Sequence, residues 1–107
     1  MPFQDEFWIV WRRAEGGHFA PLGNPLREAT VDDLAKYPWP DPLNPGRTRG
    51  LRERAARLHA TGYAVVLTLP LGFVHQSQYL RGYDQFLMDL ILEPKFVCAL
   101  MDRTMGW

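Results

Sequence analysis

The sequence predicts an α/β fold built around one buried β-strand of the parallel type. Residues 63–69 read Tyr-Ala-Val-Val-Leu-Thr-Leu, apolar at nearly every position and rich in β-branched side chains. Strands that are covered on both faces have this composition, which is typical of parallel sheets. Helical patterns come before and after the segment, as in the alternating strands and helices of α/β proteins.

The N-terminal region predicts a β-hairpin. Residues 7–13 are rich in Trp, Ile and Val, Glu15-Gly16-Gly17 supplies turn residues, and residues 18–20 can return as the second strand. This hairpin is the only further strand material that the sequence offers. Because a buried strand needs neighbours on both sides, two alternatives follow: several copies assemble, or the chain is one slice of a larger barrel.

Four helices are predicted. Thr30 can cap the first, which Pro38 soon ends, and the second is amphipathic over residues 48–60 and leads into the strand. The third has the most regular apolar spacing in the chain, and Pro94 ends it and begins the fourth. The residues expected to face inward from the third helix are Tyr83, Phe86, Leu87, Leu90 and Ile91, with Asp84, Gln85 and Asp89 outside.

Two segments between these elements allow more than one interpretation. Residues 37–42 contain three prolines and two aromatic residues, which favours a rigid loop packed on its own domain over a polyproline-type recognition ligand. Five of the ten arginines lie between Arg47 and Arg57. A solvated helix face explains them better than a binding site for an anionic ligand or RNA, since no aromatic residues are interleaved for base stacking.

Composition narrows the function classes. With 107 residues the chain forms one domain at most, and twelve basic and twelve acidic side chains cancel. We therefore expect no nucleic-acid and no membrane partner. The single cysteine, Cys98, fits a reducing compartment, and no apolar run reaches 18 residues, so the prediction is a cytoplasmic protein. No metal-ligand spacing or glycine-rich phosphate loop is present, and no cofactor is expected.

The candidate site is the polar loop predicted at residues 71–81, directly after the strand, where α/β enzymes place their ligands. His75 is a possible general acid or base, or a structural histidine. Tyr79 either donates its phenolic proton to a substrate or packs half-buried. Arg81 either holds a carboxylate or forms an ion pair with Asp84 or Asp89.

Three segments carry a resemblance to a known family. They are residues 33–42 (Asp-Leu-Ala-Lys-Tyr-Pro-Trp-Pro-Asp-Pro), residues 50–55 (Gly-Leu-Arg-Glu-Arg-Ala) and residues 79–90 (Tyr-Leu-Arg-Gly-Tyr-Asp-Gln-Phe-Leu-Met-Asp-Leu), the last followed by Glu93-Pro94. Together they resemble the uroporphyrinogen decarboxylase superfamily, closest to its decarboxylase-like branch near the corrinoid methyltransferases. The resemblance spans residues 7–103.

The resemblance implies a partial (β/α)8 barrel with an N-terminal hairpin, forming a single partial domain over residues 1–107. It also implies a fragment of a decarboxylase or methyltransferase that is inactive alone and, in the complete enzyme, acts on an anionic substrate such as a tetrapyrrole. Tyr79 is then the catalytic residue, and His75, Gln78 and Arg81 bind substrate; Gln78 stands in the place of the family's cleft tyrosine. The alternative is a non-catalytic interaction module that self-associates through its sheet edges and aromatic hairpin.

Overall fold

The computed structural model of the protein describes residues 1–68 and 72–106. The chain divides into two compact units, which are described separately below. Unit 1 comprises Met1–Pro40 and Leu71–Trp107, and unit 2 comprises Asp41–Pro70.

A three-stranded antiparallel sheet opens unit 1. Its strands are β1 (Phe3–Gln4), β2 (Val10–Arg13) and β3 (Phe19–Pro21), in the order β1-β2-β3. Strands β2 and β3 pair Trp11 with Pro21 and Arg13 with Phe19, with the glycine turn between them. The predicted N-terminal hairpin is thus confirmed, but its first strand begins at Val10 rather than at Phe7, and the sequence missed the short strand β1.

The side chain of Asp5 organises the turn that joins β1 to β2. One carboxylate oxygen accepts hydrogen bonds from the backbone N–H groups of Phe7 (2.9 Å) and Ile9 (3.0 Å). The other accepts a bond from the indole Nε1 of Trp11 at 2.7 Å. Because a carboxylate can accept several such bonds, one residue fixes the turn and turns the buried side chains of Phe7 and Ile9 into the core.

In the described residues four α-helices follow the sheet in unit 1: α1 (Val31–Lys36), α3 (Phe73–Arg81), α4 (Tyr83–Leu92) and α5 (Pro94–Met105). Unit 2 contains a short 3-10 helix (Pro45–Arg47) and the helix α2 (Leu51–His59). Thr30 and Asp33 form a reciprocal capping box at the start of α1, as the sequence predicts. The sequence predicts an inward stripe of Val97, Leu100, Met101 and Thr104 on the last helix, and α5 buries all of these except Met101, which is half-buried. The hydrophobic core of unit 1 consists of Phe7, Ile9, Leu26, Leu34, Leu80, Phe86, Phe96, Val97 and Leu100.

Two aromatic anchors fix the start of the proline-rich loop against unit 1. The hydroxyl of Tyr37 donates a hydrogen bond to the carbonyl of Phe7, and Trp39 Nε1 donates one to the carbonyl of Leu34 at 2.7 Å. The two rings also meet edge to face, with centroids 5.1 Å apart. Partial burial, with a smaller effect from the charge of Asp5, raises the pKa of Tyr37 to about 12. These contacts pack residues 37–39 on unit 1, as the rigid-loop interpretation predicts, whereas Asp41 and Pro42 are exposed.

The predicted barrel fold is wrong. Residues 64–68 of the expected buried strand have no regular secondary structure and are exposed, and residue 69 lies outside the described residues. In the described part of the chain the strands form an antiparallel sheet rather than a segment of a (β/α)8 barrel. The apolar composition of residues 63–69 is compatible with a strand, but a strand also needs a pairing partner, and in the described residues β1 pairs with β2 and β2 with β3 without including residues 63–68.

The predicted polar loop at residues 71–81 is also wrong for residues 73–81, which form α3; residue 71 lies outside the described residues. The helix buries Ser77, Leu80 and Arg81, which follow the i, i+3, i+4 spacing of one helical face. Because two of these three buried residues are polar, the spacing of apolar residues in the sequence does not predict that this face is buried. Ser77 is satisfied inside the core by the carbonyl of Phe73 (2.7 Å) and the hydroxyl of Thr104 (2.9 Å).

Candidate functional site

Three of the four predicted site residues meet at one surface depression. His75, Gln78 and Tyr79 lie on one side of α3 and border a depression of about 350 Å³, within the range of small-molecule pockets. The remaining lining residues are Pro21, Asn24 and Tyr83. His75 is exposed, whereas Gln78 and Tyr79 are half-buried.

Contacts with the rest of unit 1 hold the backbone and ring of Tyr79 in place. Its ring meets the indole of Trp11 edge to face, with centroids 4.9 Å apart, and its carbonyl accepts a hydrogen bond from Asn24 Nδ2 at 2.8 Å. Asn24 is a depression residue that the sequence analysis missed. It lies 55 residues before Tyr79 in a stretch rich in Pro and Gly, where no local pattern signals the contact.

Arg81 lies elsewhere, inside the core of unit 1. Its Nε donates to Asp89 Oδ2 at 2.6 Å, and its Nη1 donates to the carbonyls of Leu26 (2.8 Å) and Ala29 (2.9 Å). The guanidinium carbon stands 4.0 Å from the centre of the Phe96 ring. Arg81 is 7% exposed and Asp89 is 1% exposed. Of the two alternatives from the sequence, Arg81 therefore forms the ion pair with Asp89.

A second, exposed ion pair lies beside the junction of α3 and α4. Arg27 donates from both terminal nitrogens to the two oxygens of Asp84, at 2.8 and 2.7 Å. The hydrogen bond from Arg27 holds the pKa of the Asp84 carboxyl well below its usual range. This forked pair crosses over Gly82, which joins the two helices in a backbone conformation with φ of +99° and ψ of +131°.

Helix α4 exposes most of the apolar face that the sequence predicts to be buried. Tyr83, Leu87, Leu90 and Ile91 are 65%, 42%, 49% and 84% exposed. Phe86 alone of the predicted inward residues is buried, together with Asp89, which was expected to point outward. The four exposed residues follow i, i+4, i+7 and i+8 spacing, which places them on one continuous side of the helix. We call these four residues the α4 stripe.

The described residues contain neither a metal-binding cluster nor a membrane-spanning helix. Within residues 1–68 and 72–106 no three His, Cys, Asp or Glu side chains are grouped so that they could hold a metal ion. In the same part of the chain no helix has the length and apolar character needed to cross a membrane. Comparison of the chain with protein families, with curated proteins and with solved structures finds no match in any of the three.

Proposed function

We propose that the chain is a non-catalytic interaction module that associates with a second copy of itself through the α4 stripe. The exposure of a regular apolar helix face is the observation that supports this proposal. Exposed large apolar side chains are ordinary when scattered, but a continuous group of them marks an interaction surface. The sheet also exposes aromatic residues, since Phe3 and Phe19 are 49% and 57% exposed, but these two rings pair with each other at 5.5 Å. Trp11 packs against the core.

The charges around the stripe favour a second copy as the partner. The four residues carry no charge, and the nearest acidic group on the helix, Asp84, is neutralised by Arg27. Two copies related by a two-fold axis can therefore bring the same stripe together without repulsion between like charges. A specific interface buries about 800 Å² on each partner and has an apolar centre with a polar rim. The α4 stripe is apolar and so can form the centre of such an interface. The exposed Met88 and Leu92 extend it on the same helix.

We predict that Leu90→Asp weakens self-association more than tenfold. Two copies of the substitution place two buried negative charges near each other in the interface, and desolvating them is costly. Sedimentation velocity over a range of micromolar concentrations measures the change. Leu22→Asp is the matched control, because Leu22 is 51% exposed and Leu90 is 49% exposed.

The control variant should associate as the unchanged protein does. A chain that is monomeric at every concentration, or one that loses association equally in both variants, would contradict the proposal.

The enzymatic interpretation that comes from the resemblance stays a prediction, and we place it second. His75, Gln78 and Tyr79 border the α3 depression, which is compatible with a small ligand. Arg81, the residue expected to hold the anionic group of a substrate, is occupied by Asp89 and two backbone carbonyls. Saturable binding of a carboxylated tetrapyrrole that is abolished by His75→Ala would move this interpretation ahead of the interaction module.

A further inference from the structure

Unit 2 presents an apolar surface and a set of arginines without a core of its own. In the described residues 41–68 no side chain is buried, and only Arg47 is half-buried. Leu51, Leu58, Val65, Val66 and Leu67 are each at least 40% exposed. They line a groove of about 340 Å³ together with Arg54 and Ala55. A segment of this composition has apolar surface left to bury against something else.

The arginines of α2 lie on both sides of its apolar strip. Leu51, Ala55 and Leu58 recur at i, i+4 and i+7 and so fall on one side of the helix. At 100° per residue, Arg54 borders this strip on one flank and Arg52 borders it on the other. Arg57 lies farther round the helix, about 130° from the centre of the strip. Within the described residues no carboxylate forms a salt bridge with any of these three arginines.

The charge of the chain is divided unevenly between the units. Unit 2 holds five arginines against Asp41 and Glu53, a net charge of +3, whereas the whole chain has a net charge of zero. The net charge of the whole chain, which predicts no membrane partner, therefore does not describe unit 2. Charges on exposed groups are screened beyond about 8 Å at physiological ionic strength, so the local charge of unit 2 decides what it attracts.

We propose that unit 2 binds the surface of an anionic phospholipid bilayer. Helix α2 lies in the plane of the interface, with Leu51 and Leu58 toward the acyl chains and the flanking guanidinium groups on the lipid phosphates. The exposed Val66 and Leu67 add apolar contact beside the helix. A bilayer offers phosphate and hydrocarbon in one plane, which matches both features of unit 2. RNA would use the arginines but leave the apolar groove uncovered.

Vesicle flotation with the full chain tests the electrostatic part of the proposal. We expect the protein to float with vesicles of phosphatidylcholine and phosphatidylglycerol and to stay behind with phosphatidylcholine alone. Arg52→Gln with Arg54→Gln should lower the partition coefficient about thirtyfold, at roughly 1 kcal/mol for each arginine near an anionic surface. Arg12→Gln with Arg103→Gln changes the charge equally in unit 1, where both residues are exposed, and should leave the partition unchanged.

A second pair of variants tests the apolar part. Val66→Asn should lower the partition several-fold, because Val66 is 82% exposed in the free protein and becomes covered by lipid. Val31→Asn, at an exposed valine of α1, is the control and should have no effect. Failure to bind anionic vesicles, or full binding by Val66→Asn, would overturn the proposal. So would binding of the protein to single-stranded RNA or polyglutamate in the absence of vesicles, under conditions where it does not bind anionic vesicles, which would point to a nucleic-acid or protein partner.

Discussion

Replacing Arg81 by methionine is expected to lower the free energy of unfolding by about 3–5 kcal/mol, because the change leaves a buried charge without its partner. Asp89 is 1% exposed, and Gln85 Nε2, which donates to its other oxygen at 2.8 Å, cannot neutralise it. The carbonyl of Ala29 also loses the hydrogen bond from Arg81, and the carbonyl of Leu26 keeps only the one from the Ala29 N–H group at 3.2 Å. A loss of this size is a large share of the stability of a small domain. Urea denaturation followed by tryptophan fluorescence measures it.

Two further variants separate the buried charge from other causes. Arg81→Met with Asp89→Leu removes both charges and should recover much of the lost stability, since apolar replacement of a whole buried pair is often tolerated. Arg27→Met breaks the exposed pair with Asp84 and should change stability little. If Arg81→Met unfolds no more easily than Arg27→Met, the ion pair does not have the structural role assigned to it here.

The elements that local chemistry specifies are those that the sequence predicted correctly. Glu15-Gly16-Gly17 supplies residues with positive φ at Gly16 and Gly17, and the hairpin forms around them. Thr30 and Pro94 mark helix starts through hydrogen-bonding capacity and ring geometry that act within a few residues. Such signals do not depend on what packs against the element.

Burial, by contrast, could not be predicted from apolar periodicity alone. The regular apolar spacing in α4 predicts a face packed on the core, yet the core side of that helix holds Phe86 and Asp89. Asp89 is buried because Arg81, on the preceding helix, supplies an opposite charge, and this pairing is set by the tertiary fold. Because Arg81 binds Asp89 in the core, it does not lie in the predicted site. His75, Gln78 and Tyr79 do lie together, because their i, i+3 and i+4 spacing places them on one side of α3.

Gly82→Ala is expected to destabilise unit 1 by about 1–3 kcal/mol, because a side chain is strained at this backbone conformation. The φ of Gly82 is +99°, and an added Cβ would lie 2.5 Å from Arg27 Nη1 and 3.1 Å from Asn24 Oδ1. The methyl group therefore also displaces the forked bond from Arg27 to Asp84 and crowds the amide that holds the carbonyl of Tyr79. Thermal unfolding followed by circular dichroism should show the lower midpoint.

The variant Gly16→Ala is the control for Gly82→Ala, because it measures the cost of a positive φ at a position without crowding. Gly16 has a φ of +95°, but an added Cβ there would meet no atom within 4 Å. The Gly16 variant should therefore lose less stability than the Gly82 variant, and the difference reports the contacts around the α3–α4 junction. Equal losses in the two variants would mean that the junction is not crowded, and that Arg27 can move aside at no cost while the helices keep their angle.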